Sequence, residues 1–189
     1  MKALILISVL FASGIGQATT PEYIQVSEFP RLELTVAGGV ALQTGYLTTE
    51  DSAGAYSLGF NFGLPGGIFS FDWSGVRVNH DTNEFALANN KRASVESFSF
   101  IPFVKVYNRD AFYLLLGIGF SQISLMQFDP DYATTYGTFT VSALARYHLN
   151  EKWSLHYKTS WYSVNQTVND QKTSFEVWSH LAGVAYNFN

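Results

Sequence analysis

No cysteine occurs anywhere in this chain of 189 residues. An exported protein of this composition therefore has no disulfide framework and must hold its fold by other means. Charge is also scarce. Asp, Glu, Lys and Arg make up 14% of the chain, against roughly 25% in ordinary soluble domains. A water-facing surface of this size normally carries more. The net charge of −4 argues against nucleic acid as a partner, because its phosphates demand a basic surface. Beyond the first residues no apolar run approaches the about 20 residues that a helix needs to cross a bilayer. A helical membrane protein is excluded on that ground.

What the chain does have is aromatic side chains, 16% of all residues, with sixteen Phe and eleven Tyr. It also has a leader-like start. Lys2 precedes an apolar run from Ala3 to Ala12, and small residues follow to Gly16-Gln17-Ala18. A basic start, a short apolar stretch and a small-x-small exit are the three parts of a secretory signal peptide. Residues 1–18 are read as that signal, with cleavage after Ala18. Residues 19–31, with Pro21 and Pro30, form a periplasmic lead-in, and 32–189 form one domain.

That domain reads as period-2 segments broken by turn signals. Strands are predicted at 32–46, 55–64, 68–78, 95–107, 111–123, 138–148, 152–164 and 174–188. The fold class is all-β, an eight-stranded antiparallel up-and-down transmembrane β-barrel, since closure of such a barrel takes an even number of strands. Tight turns at 64–67, 108–110 and 149–151 alternate with longer polar links at 47–54, 79–94, 124–137 and 165–173. Short inner turns and longer outer loops are the pattern of an outer-membrane barrel, and they put both termini on the periplasmic side.

The alternation also says which face meets lipid. Phe112, Leu114, Leu116, Ile118 and Phe120 share one face, opposite Tyr113, Leu115, Gly117, Gly119 and Ser121. Tyr56, Leu58, Phe60 and Phe62 oppose Ser57, Gly59 and Asn61 in the same way. Small and polar residues suit a crowded interior, so the bulky face is expected outward. A secreted lipocalin-like carrier, the main non-membrane alternative, would turn the bulky face inward. Aromatics near the strand ends, among them Trp73, Tyr107, Trp153, Trp161, Trp178 and Tyr186, are expected in interfacial girdles.

The last segment, Gly183-Val184-Ala185-Tyr186-Asn187-Phe188, resembles the C-terminal signal read by the outer-membrane assembly machinery, a glycine followed by hydrophobic or aromatic residues at +3 and +5. Gly183, Tyr186 and Phe188 occupy those positions. With the leader and eight strands, the whole mature chain resembles the small OmpA/OmpX-like outer-membrane barrels. That resemblance implies a cell outer-membrane location, with lipid, lipopolysaccharide and the assembly machinery as partners.

Six ionisable residues share the inward parity: Glu33, Asp72, Lys105, Arg146, His156 and Lys158. Buried charges are tolerated only when paired, so they are expected to form an ionic cluster in the lumen. Asp72 and Lys105, on neighbouring strands at similar height, are expected to approach each other. The cluster is read as a plug that fixes packing rather than as a gate. Some small outer-membrane barrels are lipid A deacylases with His and Ser two apart on one strand, and this chain has no His-x-Ser. His156 and Ser160 are four apart, roughly 13 Å along a strand, and the neighbours Ser179 and His180 point to opposite faces, so the alternative reading, a lipid A deacylase-like hydrolase, would need a cross-strand pair. His80, Asp81 and Glu84, and Asp129 with Asp131, lack the spacing of a calcium loop. The expectation is a monomeric outer-membrane barrel without catalytic residues, cofactor or metal, with a structural or surface-interaction role.

Overall fold

The computed structural model describes residues 31–45, 53–64, 66–78, 93–126, 134–168 and 171–188. It forms eight strands: β1 Leu32–Gly45, β2 Ala53–Leu64, β3 Gly67–Val78, β4 Ala93–Arg109, β5 Phe112–Met126, β6 Thr134–His148, β7 Trp153–Val168 and β8 Gln171–Asn187. Each strand pairs antiparallel with the next in sequence, and β1 closes on β8 from Glu33↔Asn187 to Gly45↔Phe175. Closure leaves no edge strand with unpaired backbone groups, which is the condition for a sheet to sit in lipid. Where β8 meets β1, a Cβ on Gly183 would overlap the Val36 carbonyl, and one on Gly39 would overlap that of His180. The backbones approach so closely at this seam that only glycine fits.

The end of the barrel holding the Leu64–Gly67, Arg109–Phe112 and His148–Trp153 connections is called the lower end. All three connections are short, and their chemistry explains them. Gly66 takes φ 86°, and Asp110 takes φ 53°, the left-handed region that Gly and Asp enter most readily. Asn150 Oδ1 accepts from the backbone amides of Lys152 at 2.9 Å and Trp153 at 2.8 Å, a side-chain-closed turn. At the upper end, segments 46–52, 79–92, 127–133 and 169–170 lie outside the described residues. The fourth predicted long link is shorter than expected. β7 and β8 stay paired up to Val168↔Gln171, so strand runs through most of 165–173. The predicted leader 1–18 and most of the lead-in 19–31 lie outside the described residues, as do His80, Asp81, Glu84, Asp129 and Asp131.

Orientation follows the alternation. β2 has Ala53, Ala55, Ser57, Gly59 and Asn61 inside, with Tyr56, Leu58, Phe60 and Phe62 outside. Phe60 is 50% exposed, Leu116 49% and Phe120 53%. Bulky side chains thus line the exterior, and the lipocalin-like alternative is overturned. At two glycines of the outer wall a neighbouring ring supplies the bulk: Tyr56 lies over Gly75, and Phe120 over Gly137.

Candidate functional site

Along several strands the alternation changes sign near the upper end. On β8, Val184 and Tyr186 face out below Trp178, while Ser179, Gly183 and Ala185 face in. Above Trp178 the outer positions are Glu176 and Ser174, and the inner ones are Val177 and Phe175. On β7, Leu155 and Tyr157 face out with Ser154, His156, Lys158 and Ser160 inside. Above Trp161 the outer positions become Ser163 and Asn165, and Tyr162 and Val164 turn in. β4 changes between Phe98 and Glu96, with Val95 inside, and β5 changes between Phe120 and Gln122, with Ile123 inside. Apolar-out suits lipid and apolar-in suits water, so the reversal marks where the wall leaves the bilayer.

Aromatic pairs stand at both boundaries. Above are Trp161–Trp178, with ring centroids 6.0 Å apart, and Tyr56–Trp73 at 5.6 Å. Below are Trp153–Tyr186 at 4.8 Å and Tyr107–Phe112 at 6.1 Å. On β7 and β8 the two levels are eight residues apart. With a rise of about 3.3 Å per residue and a tilt of about 40°, that is about 20 Å, close to the roughly 25 Å apolar band of such barrels. At the upper boundary the indole N–H of Trp73 donates to Glu96 Oε2 at 3.3 Å, and that of Trp161 to Glu176 Oε2 at 3.3 Å. Acids that would be costly in lipid thus sit at its edge.

Inside, two ion pairs cross the lumen in the lower half. Arg146 on β6 pairs with Glu33 on β1, which also accepts from Asn61 Nδ2 at 3.3 Å. The same guanidinium nitrogen donates to the Tyr113 hydroxyl at 3.1 Å. Lys158 on β7 pairs with Asp72 on β3 at 2.7 Å, and Ser70 Oγ donates to the same carboxylate oxygen at 2.6 Å. His156 is buried across the β6–β7 ladder from Arg146, and its Nδ1 has no partner. Ser154 Oγ and His148 Nδ1, 2.8 Å apart, lie inside near the lower mouth. Hydroxyls tie the inner wall together. Ser99, Ser121 and Thr140 link β4, β5 and β6, and Ser142 links to Ser160 at 2.7 Å.

The expected contact between Asp72 and Lys105 does not form. Lys105 is exposed, with its ammonium 5.4 Å from the centre of the Tyr113 ring. A β-bulge puts Val106 between Lys105 and Tyr107 as an unpaired extra residue. Bulges bend the strand and re-aim its side chains, and this one lies near the lower mouth, where an amine reaches water. Adjacency on the wall was the wrong guide. In an eight-stranded lumen long side chains reach the opposite wall, and β3 faces β7.

The upper lumen is apolar, which the sequence reading did not anticipate. Ile123, Phe175 and Val177 are fully buried there, Val95 nearly so, together with Tyr162, Val164 and Leu181. The signal was present in Ser174-Phe175-Glu176-Val177, where the apolar positions fall on the parity that is polar lower down. Ile101, Phe103, Leu115 and Leu144 form a second cluster in the lower half. The lumen is therefore filled at both levels.

Of the residue pairs considered for hydrolysis, His156 and Ser160 both face inward, while Ser179 faces inward and His180 outward. Among the described residues, no group of three or more His, Asp or Glu could hold a metal ion. In the C-terminal segment, Tyr186 and Phe188 stand on the outer face with rings 5.3 Å apart, and the Phe188 amide donates to the Leu32 carbonyl at 3.0 Å.

A closed eight-stranded barrel with a lipid-type exterior and aromatic levels at both ends is an integral outer-membrane-type β-barrel. Its fold is similar to that of solved structures. Neisserial surface protein A has a TM-score of 0.64 at 10% identity, over 83% of this chain and 97% of that one. OprG from Pseudomonas aeruginosa has a TM-score of 0.49 at 13% identity, over 88% and 99% respectively. At such identities the likeness is one of fold. No protein-family model matches the chain, and no curated protein matches it in sequence.

Proposed function

We propose that this protein is an outer-membrane barrel of the small OmpA/OmpX-like kind that acts as a closed platform. Its termini lie in the periplasm, its upper rim stands outside the cell, and its surface segments carry a structural or interaction role without catalysis. The observation that carries this is the sign change. Above the lipid boundary the barrel continues as a water-facing wall around its own apolar core of Phe175, Ile123, Val95 and Val177. A channel has no use for an apolar stopper in its outer half, whereas a platform for surface segments needs a rigid base. Ion pairs and hydroxyl ladders below stiffen the same tube. Outer-leaflet lipid and the assembly machinery are its partners, the latter through Gly183, Tyr186 and Phe188.

Three measurements test this in cells. The protein should fractionate with outer membranes and migrate differently on a denaturing gel before and after heating. An epitope placed in 79–92 should be cut by protease added to intact cells, while one at the C-terminus stays protected. Lipid A mass spectra should be the same with and without expression. A soluble product, a protected 79–92 epitope, or a lost acyl chain would each overturn the corresponding part.

A further inference from the structure

Between its two aromatic levels, the outer wall breaks its own polarity rule on β7 and β8. Tyr157 and His180 both face outward, with the tyrosine hydroxyl 2.9 Å from His180 Nδ1. Thr159 also faces outward and pairs directly across from His180. His180 lies two residues below Trp178 along β8, about 5 Å deeper along the membrane normal at the usual strand rise and tilt. Its Nε2 has no protein partner among the described residues. An imidazole at that depth has no water to turn to, and an unpartnered polar group there is costly.

Depth limits what can answer it. Hydrocarbon tails offer no hydrogen bond, and headgroup phosphates sit above the Trp161–Trp178 pair, too high to reach His180 Nε2. The polar groups just under the headgroup are the ester and amide carbonyls of acyl chains. In lipid A, hydroxyls on the third carbon of its 3-hydroxyacyl chains lie there too. We propose that His180, with Tyr157 and Thr159, binds the acyl-linkage region of a lipid A molecule in the outer leaflet. Lipid A fits better than a phospholipid because it presents donors and acceptors together. If the tyrosine donates to Nδ1, Nε2 carries hydrogen and donates to a carbonyl. If Nδ1 carries it, Nε2 accepts from a hydroxyl. Beside Tyr157, Ala182 and then Gly38 follow in register across β8 and β1, a low surface on which an acyl chain can lie. The site rests on the proposed orientation, with the Trp161–Trp178 end in the outer leaflet.

Full-length protein in a non-ionic detergent, titrated with lipid A and read by native mass spectrometry, tests the site. Wild type should retain one lipid A in preference to a phosphatidylethanolamine of equal chain length. His180→Leu should weaken retention about fivefold, the effect of one ordinary hydrogen bond, and adding Tyr157→Phe should weaken it further. Thr159→Val, nearly isosteric and on the lipid face, should weaken it two- to fivefold and serves if the His180 variant fails to fold. Phe100→Leu, on the far wall, should change nothing. Unchanged retention in both the His180 and Thr159 variants would overturn the site. Equal retention of phosphatidylethanolamine would overturn the choice of lipid A. A wild-type dimer that falls apart in His180→Leu would make this face a contact between two copies instead. Failure of the orientation is seen separately, in the protease test on the 79–92 epitope.

Discussion

Removing the cation from the Glu33–Arg146 pair should leave a charge stranded in the lumen. Arg146 is 1% exposed and is the cationic partner of Glu33. After Arg146→Met, the carboxylate keeps only the 3.3 Å bond from Asn61. Breaking a buried pair from one side typically costs about 3–5 kcal/mol. The low end applies here, because Nε and Nη2 of Arg146 already lack partners, so the pair is incompletely compensated in the native protein. A loss of about 3 kcal/mol, with a urea slope of about 2–3 kcal/mol/M, lowers the unfolding midpoint by roughly 1–1.5 M. Tryptophan fluorescence of the barrel refolded into phosphatidylcholine vesicles reads that midpoint. Combining Arg146→Met with Glu33→Leu removes both charges and should recover at least about 2 kcal/mol, since apolar replacement of a whole buried pair is often neutral. Planar-bilayer conductance should match wild type in both variants, because the apolar side chains above still fill the lumen. A single variant within about 1 kcal/mol of wild type, or a double variant no better than the single, would refute the reasoning. A new conductance would reinstate a gate.

Lys158→Met should destabilise by about 3 kcal/mol through the stranded Asp72, while Lys105→Ala should stay within about 0.5 kcal/mol of wild type; chemical denaturation of both separates the cross-lumen pair from the mouth residue. Leu116→Arg, within the lipid band, should cost about 2–4 kcal/mol, whereas Ser124→Arg, above the sign change, should cost about 0–1 kcal/mol; equal losses in vesicle unfolding would remove the proposed boundary. Phe175→Ala empties the centre of the upper cluster and should cost about 3–5 kcal/mol, with earlier loss of the β7–β8 hairpin in hydrogen exchange; protection unchanged from wild type would contradict a packed upper lumen.

Strand number, fold class and the outward-facing side were legible from the chain alone, because a period of two is a local property. Tyr56, Leu58, Phe60 and Phe62 against Ser57, Gly59 and Asn61 declare two faces whatever surrounds them, and scarce charge says which solvent the bulky face meets. The three lower turns were legible for the same reason, since Gly66, Asp110 and Asn150 each supply turn chemistry within a few residues. The ionic cluster was only half legible. Parity placed Asp72, Lys105 and Lys158 inward, but partner choice depended on which strands oppose each other across the tube and on a bulge at Val106 that pairing reveals. The reversed parity of Phe175 and Val177 was in the sequence as well, yet its meaning needed the third dimension. Only closure brings β4, β5, β7 and β8 together around those side chains. The Tyr157–His180 pair likewise exists because neighbouring strands set two residues at different heights within reach. Local periodicity chooses faces; closure decides who meets whom, since distances across the lumen and along the wall are set by strand register and not by sequence separation.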